Sequence, residues 1–142
     1  MRGYNWMKVV DVMTKNPVIM TANETVREAD RLMVENGIRQ LPVVDGSALL
    51  GIITDRDIRS YLANSLLDEN ARTKGLQTPV REIMTTEPLT LAPDDDLRDA
   101  VELLVEEKIG GVPVVDEAEG VVGIVTYVDI LRCFLHRLDQ EE

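Results

Sequence analysis

The chain has 142 residues, a formal net charge of −11 at pH 7, 44% hydrophobic residues and only 4% aromatic residues. This length is sufficient for a buried core, and the composition predicts a core built mainly of Val, Ile, Leu and Met side chains. The acidic charge argues against a general nucleic-acid-binding protein and against binding to an anionic membrane surface.

The beginning of the chain shows no targeting segment. It lacks the apolar region of a signal peptide, and no apolar run in the sequence approaches the length of a membrane span. The sequence therefore predicts a cytoplasmic protein. Residues 1–11 are interpreted as an N-terminal arm, in which Tyr4 and Trp6 are expected to pack against the rest of the protein or against a neighbouring molecule.

The first repeat is placed at residues 12–67, and its first half predicts a strand followed by a helix. Val18–Met20 is a short run rich in β-formers. Thr25–Glu28 has the S/T-x-x-E pattern of a capping box, and apolar residues recur at helical spacing behind it. Gly37 is expected to end this helix.

The second half of the repeat predicts a hairpin and a second helix. Leu41–Val44 and Leu49–Ile53 are almost wholly apolar and are joined across an Asp45–Gly46 turn, which is typical of two strands in a covered sheet. Thr54–Asp57 is expected to cap a helix that runs to the end of the repeat. Residues 68–79 are interpreted as a linker.

Nearly the same motifs return in a second repeat, residues 80–138. Asp96–Asp99 stands in the place of Thr25–Glu28, and Asp96 is expected to cap the corresponding helix. Because each copy alone would have a marginal core, the two copies are expected to share an interface. The predicted fold class is α/β (α+β), with two pseudo-symmetric repeats of strand–helix–strand–strand–helix packed through their sheets. The matching segments are Val12–Pro17 with Ile83–Pro88 and Leu41–Asp45 with Val112–Asp116, both 71 residues apart, and Gly51–Ile58 with Gly123–Ile130, 72 residues apart.

The sequence offers no catalytic constellation. His136 is the only histidine and has no second ligand at metal spacing, so it is interpreted as a surface helix residue. The single cysteine, Cys133, excludes an internal disulfide framework and a cysteine-rich metal site. A phosphate-binding glycine loop and a G-x-S-x-G elbow are also missing from the sequence. We therefore predict a protein that is not an enzyme and requires no cofactor or metal.

A Thr-x-x-Asp motif after a predicted strand occurs in both repeats, at Thr54 with Asp57 and at Thr126 with Asp129. One interpretation is purely structural, because threonine and aspartate at this spacing satisfy the free amides of a helix N-terminus. Another is functional, because a helix N-terminus after a buried strand favours phosphate, and a carboxylate one turn later can accept both ribose hydroxyls. The spacing is compatible with both.

The motifs taken together resemble the CBS domain, named after cystathionine β-synthase. The resemblance rests on Val-Met-Thr-x-x-Pro, Leu-Pro-Val-Val-Asp and Gly-Ile-h-Thr-x-x-Asp-Ile, where h is apolar, in order and in both copies from about Val10 to Leu135. A tandem pair of this kind resembles a Bateman module. The resemblance implies a regulatory protein that binds AMP, ADP, ATP or S-adenosylmethionine in two clefts between the copies.

The resemblance also implies roles for individual residues of the first cleft. Asp57 would hold the ribose hydroxyls, and Thr54 a phosphate or the ribose edge. The residues that would frame the adenine come from the second repeat: Thr85, the backbone of Leu89, Ile109 and Gly110. Leu89 can equally be read as ordinary strand packing, and the two readings are compatible because the family contacts adenine there through the backbone.

In the second cleft, the resemblance gives the polar roles to Thr126 and Asp129. The first repeat would contribute Thr14, Val18, Ile38 and Arg39. Val18 has the same alternative reading as a packed strand residue. The sequence thus predicts that each cleft draws on both repeats.

The two clefts differ in charge. Arg39 and Arg56 stand at positions where CBS domains often place phosphate-binding bases, whereas Gly110 and Val128 occupy these positions in the second cleft. Because the chain is strongly acidic, a phosphate needs local positive charge, and we expect the first cleft to hold the phosphorylated ligand. The alternative is that Arg56 and Arg59 are solvated helix residues. The second cleft would hold a less charged adenosine compound or nothing.

The leading hypothesis is a stand-alone sensor of adenosine nucleotides that acts on a separate protein effector. The alternative is a dimerising scaffold with the same fold and empty clefts. A homodimer is expected in both cases, because the apolar helix faces formed by Ile58 with Leu62 and by Ile130 with Phe134 need cover.

Overall fold

The computed structural model describes residues 7–141, and within them the chain forms six α-helices and seven β-strands. The helices are α1 (Val9–Val12), α2 (Val26–Asn36), α3 (Asp55–Leu62), α4 (Glu69–Leu76), α5 (Leu97–Glu106) and α6 (Tyr127–Gln140). The strands are β1 (Thr14–Lys15), β2 (Met20–Thr21), β3 (Gln40–Asp45), β4 (Ala48–Thr54), β5 (Thr85–Thr86), β6 (Gly111–Asp116) and β7 (Gly120–Thr126). The predicted mixed α/β class is confirmed.

The chain forms two compact units that do not coincide with the two sequence repeats. The central unit is continuous and contains residues 18–88, whereas the terminal unit combines residues 7–17 with residues 89–141. The first residues of each repeat therefore pack with the main part of the other repeat. The predicted boundaries, 12–67 and 80–138, describe the two repeats of the sequence. The packed units differ from these repeats because β1 of the first repeat and β5 of the second, the exchanged strands, each pair with the other repeat.

The central unit contains a four-stranded sheet in the order β2-β3-β4-β5. The β3–β4 hairpin forms its middle, with β2 parallel to β3 and β5 antiparallel to β4. Strand β5 comes from the start of the second repeat and places Thr85 opposite Ile52. The predicted hairpin is thus present, and its turn contains Gly46 at a φ of +63°, a left-handed conformation that favours glycine.

The terminal unit contains a three-stranded sheet in the order β1-β7-β6. Strand β1 comes from the first repeat, lies antiparallel to β7 and places Thr14 opposite Ile124. The first strand predicted for each repeat is shorter than expected. It is the two-residue β2 in the central unit and a single bridge in the terminal unit, where Leu91 donates to the Pro113 carbonyl at 3.0 Å and accepts from the Val115 amide at 2.8 Å.

The N-terminal caps predicted for α2 and α5 are confirmed in one case and wrong in the other. Thr25 caps α2 by accepting a hydrogen bond from the Glu28 amide at 3.2 Å, and Gly37 ends α2 in the left-handed conformation at a φ of +63°. Asp96 stands at the N-cap of α5, but its side chain makes no capping hydrogen bond. Its carboxylate instead pairs with the Lys8 ammonium at 2.7 Å, so the capping role predicted for it is wrong.

The segment predicted as a linker, residues 68–79, contains a complete helix. The Asp68 carboxylate accepts hydrogen bonds from the amides of Asn70 at 3.0 Å and Ala71 at 3.2 Å, and this cap begins α4. The preceding helix is shorter than the sequence indicated, because α3 ends at Leu62 and continues only as a 3₁₀ turn, Ala63–Ser65. The amino-acid composition of the segment did not indicate this helix, which begins at the Asp68 cap.

Each unit has its own aliphatic core. The cores contain Met20, Val26, Ala29, Met33, Leu41, Val43, Ile53, Ile58 and Val80 in the central unit, and Val9, Leu91, Leu97, Ala100, Val112, Val114 and Val125 in the terminal unit. Val9 belongs to the predicted N-terminal arm, yet it is fully buried. Tyr4 and Trp6 of the same arm lie outside the described residues.

The helix faces predicted to need a partner are largely covered within their own units. Ile58 is buried and Leu62 packs against the central core, while Ile130 packs against the terminal core. Phe134 alone of these four is exposed. Ile58, Leu62 and Ile130 are therefore wrong as reasons for a dimer, because each packs into the core of its own unit. For Phe134 the need for a partner stays a prediction.

The exchanged strands approach the sheets closely at two glycines. A Cβ atom on Gly51 would lie 2.5 Å from the Thr85 carbonyl oxygen and 2.8 Å from the Met84 sulfur. Gly123 occupies the equivalent position in the terminal unit, where a Cβ atom would lie 2.5 Å from the Met13 sulfur. Glycine is required at both positions because a methionine lies where any side chain would begin.

Gly51→Ala should therefore destabilise the protein. Overpacking of this kind costs about 1–3 kcal/mol, because the Thr85 carbonyl belongs to a paired strand and cannot move freely. The free energy of unfolding is measured by urea denaturation. The matched control is Gly75→Ala, whose new methyl group would meet the end of the flexible Leu62 side chain at 2.9 Å within a helix. Equal stability of the two variants would contradict the prediction.

Candidate functional site

The Thr-x-x-Asp motif of the central unit lies where β4 ends and α3 begins. Thr54 is the last residue of β4 and the N-cap of α3. Its hydroxyl accepts a hydrogen bond from the Asp57 amide at 3.0 Å, and its own amide donates to Asp57 Oδ2 at 2.9 Å. The capping interpretation of this motif is thus correct. Within residues 7–141, no hydrogen bond or ion pair involves Asp57 Oδ1.

The same motif in the terminal unit lies between β7 and α6, with more hydrogen bonds. The Thr126 hydroxyl accepts from the Asp129 amide at 3.3 Å, as in the central unit. Asp129 Oδ2 accepts from both the amide of Thr126, at 2.8 Å, and its hydroxyl, at 3.1 Å. Asp129 is only 6% exposed, whereas Asp57 is half-buried.

The second carboxylate oxygen of Asp129 also has partners. The Thr14 hydroxyl, on β1, donates to Asp129 Oδ1 at 2.9 Å, and Arg132 Nη1 lies 3.7 Å from the same oxygen. Sequence reasoning assigned Thr14 and Asp129 to one site but did not predict their direct hydrogen bond, and it missed Arg132. The position of Arg132 one turn after Asp129 on α6 was the only available signal.

Two arginines flank the start of α3. The Arg39 carbonyl accepts a hydrogen bond from the Asp55 amide at 2.9 Å, so Arg39 lies next to the first turn, in which Arg56 is the second residue. Both side chains are exposed and have no ion pair or hydrogen bond within the described part of the chain. Arg59, by contrast, pairs with Asp55 at 3.2 Å.

The terminal unit repeats this backbone arrangement without the positive charges. The Gly110 carbonyl accepts a hydrogen bond from the Tyr127 amide at 3.2 Å, which is the counterpart of the contact between Arg39 and Asp55. Gly110 has no side chain, and Val128 takes the place of Arg56 on the helix. The start of α3 therefore carries two unpaired cations close to the positive end of a helix, and the start of α6 does not.

The residues predicted for each cleft are divided between the two units. Arg39, Thr54, Arg56, Asp57 and Thr85 lie in the central unit, where β5 brings Thr85 beside β4. Thr14, Thr126 and Asp129 meet in the terminal unit. The remaining candidates belong to the unit opposite their predicted cleft partners, so their roles stay predictions: Leu89, Ile109 and Gly110 in the terminal unit, and Val18 and Ile38, which pack against the central core.

Other reactive or metal-binding groups do not form a site within the described residues. Burial raises the pKa of the Cys133 thiol, which makes it a poor nucleophile near neutral pH. His136 is exposed on α6 and contacts Gln140. Residues 7–141 contain no group of three His, Cys, Asp or Glu side chains arranged for a metal ion. No helix among these residues has the length and hydropathy of a membrane span.

Comparison with known proteins identifies the family. The model of the CBS domain matches residues 9–64 and residues 80–136, which is most of the chain. The chain belongs to the CBS domain family. The resemblance seen in the sequence is confirmed, as is the presence of two tandem copies.

Relatives of this CBS protein differ in the share of their own length that it matches. The CBS domain-containing protein YhcV of Bacillus subtilis is 36% identical over 122 residues, which cover 86% of this chain and 81% of YhcV. The uncharacterized protein MJ1225 of Methanocaldococcus jannaschii is 36% identical over 128 residues, covering 87% of this chain and 46% of MJ1225. The chain thus spans less than half the length of some curated relatives that it matches.

Solved structures of CBS domain pairs have the same fold. The CBS domain pair of protein MJ0100, in complex with 5′-methylthioadenosine and S-adenosyl-L-methionine, has a TM-score of 0.78 at 34% identity and covers 92% of this chain and 98% of that chain. CBSX2 in complex with AMP has a TM-score of 0.77 at 32% identity, covering 91% and 96%.

The unequal bonding of the two aspartates predicts unequal effects on stability without ligand. Asp129→Ala should lower the free energy of unfolding more than Asp57→Ala, because only Asp129 accepts a hydrogen bond from an exchanged strand. A hydrogen bond to a charged group contributes on the order of 1.5–3 kcal/mol. Urea denaturation of both variants measures the difference. The prediction fails if Asp57→Ala is as destabilising as Asp129→Ala.

Proposed function

We propose that this CBS pair is a regulatory module that binds a phosphorylated adenosine ligand, AMP, ADP or ATP, at the start of α3. The ligand's ribose hydroxyls would donate to Asp57, and its phosphate would meet Thr54, Arg56 and Arg39. A separate protein would respond to the bound state. The AMP complex of CBSX2 and the S-adenosyl-L-methionine complex of MJ0100 support an adenosine ligand.

The observation that carries the proposal is the unused hydrogen-bonding capacity at this site. Asp57 Oδ2 accepts from the Thr54 amide, while Oδ1 has no partner among the described residues. Arg39 and Arg56 are likewise without an acidic partner, although the chain contains 26 acidic and 15 basic residues. In such an acidic protein, unpaired arginines beside a helix N-terminus favour an anion that is bound from solution.

The start of α6 fits a different ligand. It has the same Thr-x-x-Asp geometry but offers no arginine at the positions of Arg39 and Arg56, so it provides less compensation for a phosphate charge. We propose that it takes an adenosine compound without a phosphate, such as S-adenosylmethionine, more weakly than the start of α3 takes a nucleotide. The MJ0100 pair, with 5′-methylthioadenosine and S-adenosyl-L-methionine, is a precedent for such ligands.

The scaffold hypothesis remains the second candidate, and an exposed apolar surface on α6 could serve the pairing of two copies that it requires. Tyr127, Leu131, Phe134 and Leu138 of α6 are 45%, 59%, 50% and 49% exposed. Their spacing of four, three and four residues forms a stripe along one helix, as in paired helices. We propose that this stripe, which shares only Phe134 with the faces predicted from the sequence, joins two copies of the chain. A dimer is compatible with ligand binding and does not decide between the two functions.

Binding of AMP tests the nucleotide proposal at Arg56. Loss of a charged hydrogen bond to phosphate costs about 1.5–3 kcal/mol, so Arg56→Ala should weaken AMP roughly tenfold to a hundredfold. Adenosine, which lacks the phosphate, should bind the variant and the wild type almost equally. Asp57→Ala should weaken both ligands. Isothermal titration calorimetry measures all six combinations of the two ligands with the wild type and the two variants. A hundredfold excess of ligand over Kd should stabilise the wild type by about 2.7 kcal/mol.

Arg59→Ala is the matched control for Arg56→Ala, because Arg59 lies one turn away on α3 and already pairs with Asp55. Its AMP affinity should stay close to that of the wild type. Equal losses for AMP and adenosine in Arg56→Ala would mean that Arg56 acts through the fold. If none of AMP, ADP, ATP and S-adenosylmethionine binds, the scaffold function is the correct one.

The proposed dimer is tested separately by sedimentation equilibrium. The wild type should show a mass of two chains at micromolar concentration, and Leu131→Glu should shift it toward a single chain, because the substitution places a charge in the apolar stripe. His136→Glu, on the same helix but outside the stripe, is the control. A wild type of single-chain mass at every concentration would contradict the dimer.

A further inference from the structure

Thr14 and Asp129 form a contact that has no counterpart in the central unit. Thr14 is exposed on β1, yet its hydroxyl donates at 2.9 Å to Oδ1 of an aspartate that is 94% buried. Thr85 stands at the equivalent register position on β5, opposite Ile52 as Thr14 is opposite Ile124. No hydrogen bond joins Thr85 to Asp57 in the described structure. The same residue types in the two repeats thus leave Asp129 with hydrogen bonds at both carboxylate oxygens and Asp57 with a hydrogen bond at Oδ2 only, among the described residues.

The chemistry of this contact is that of a bound alcohol. The Thr14 side chain presents a secondary hydroxyl to a carboxylate oxygen, as a ribose hydroxyl does, and the other oxygen is already held by the Thr126 amide and hydroxyl. A ligand hydroxyl reaching Asp129 would therefore find both oxygens engaged. At Asp57 it would find Oδ1 without a partner.

We propose that Thr14 is an internal competitor that sets the affinity and selectivity of the α6 site. In the unliganded protein its hydroxyl takes the hydrogen-bonding position that a ligand ribose hydroxyl needs, and ligand binding requires Thr14 to release Asp129. This inference rests on the proposed function. Because the Thr14 hydroxyl competes at the α6 site, the α3 site fills first, and the α6 site binds ligands that are present at higher concentration.

Release of Asp129 does not require β1 to leave its sheet. Thr14 is exposed, and rotation of its side chain about χ1 moves the hydroxyl while the backbone pairing with β7 is kept. Arg132 remains near the freed oxygen and continues to offset the charge of the carboxylate. The competition is consequently local to one hydroxyl, and a single substitution can remove it.

The test uses Thr14→Val, which keeps the β-branched shape and removes the hydroxyl. Adenosine is the probe because it carries ribose hydroxyls and no phosphate, and it is titrated calorimetrically against the full chain. Loss of the competing charged hydrogen bond should tighten the weaker adenosine site by roughly tenfold or more. Thr86→Val is the matched control, because Thr86 is an exposed threonine of β5 that belongs to neither proposed site, and it should leave this site unchanged. Thr14→Ser, which restores a hydroxyl, should bind as the wild type does.

Asp129→Ala added to Thr14→Val should abolish the gain, which assigns it to the α6 site. Thr14→Ala is a second variant with the same expected gain, should valine disturb the fold. If the wild type binds AMP but neither variant gains adenosine affinity over Thr86→Val, the competitor role is wrong and the proposed function stands. If neither AMP nor adenosine binds the wild type or any variant, the proposed function fails and this inference fails with it.

Discussion

Both sheets of this protein are completed by a short strand from the other repeat, and the candidate sites depend on that exchange. Strand β1 pairs with β7 and strand β5 pairs with β4, so each Thr-x-x-Asp motif has a threonine of the opposite repeat beside its sheet. Gly51 and Gly123 make the approach possible, because a methionine of the exchanged segment lies where their side chains would start. In the terminal unit, the close approach at Gly123 accompanies the hydrogen bond by which Thr14 reaches Asp129 at the start of α6.

The capping role and the proposed binding role both use the aspartate carboxylate, but through different oxygens. At both sites, one carboxylate oxygen satisfies the N-cap amide, which the helix needs with or without ligand. What distinguishes the sites is the remaining oxygen and the residues around it. A few local differences, such as Gly110 for Arg39 and Val128 for Arg56, make two pseudo-symmetric structures chemically unequal.

Local features of the fold could be predicted from the sequence, whereas features that depend on distant contacts could not. The caps at Thr54 and Thr126 follow from spacing within four residues. The motifs that recur in both repeats indicated the CBS family. Asp96 failed as a cap because Lys8, 88 residues away, takes its carboxylate. The strand exchange and the bond between Thr14 and Asp129 were equally inaccessible. No local pattern encodes pairings between residues 33 apart, as in β4 and β5, or 110 apart, as in β1 and β7.

The same exchange has a consequence for the order in which the chain can acquire its structure during synthesis. The central unit is one continuous stretch and becomes complete once β5 has left the ribosome. The terminal unit joins residues 7–17 to residues 89–141, so Val9 and β1 are made before the central unit and are buried only when β6 and β7 have followed it. The entropic cost of this long closure rises only slowly with length, and a central unit that is already folded shortens the effective loop. Residues made before the central unit are thus buried after it.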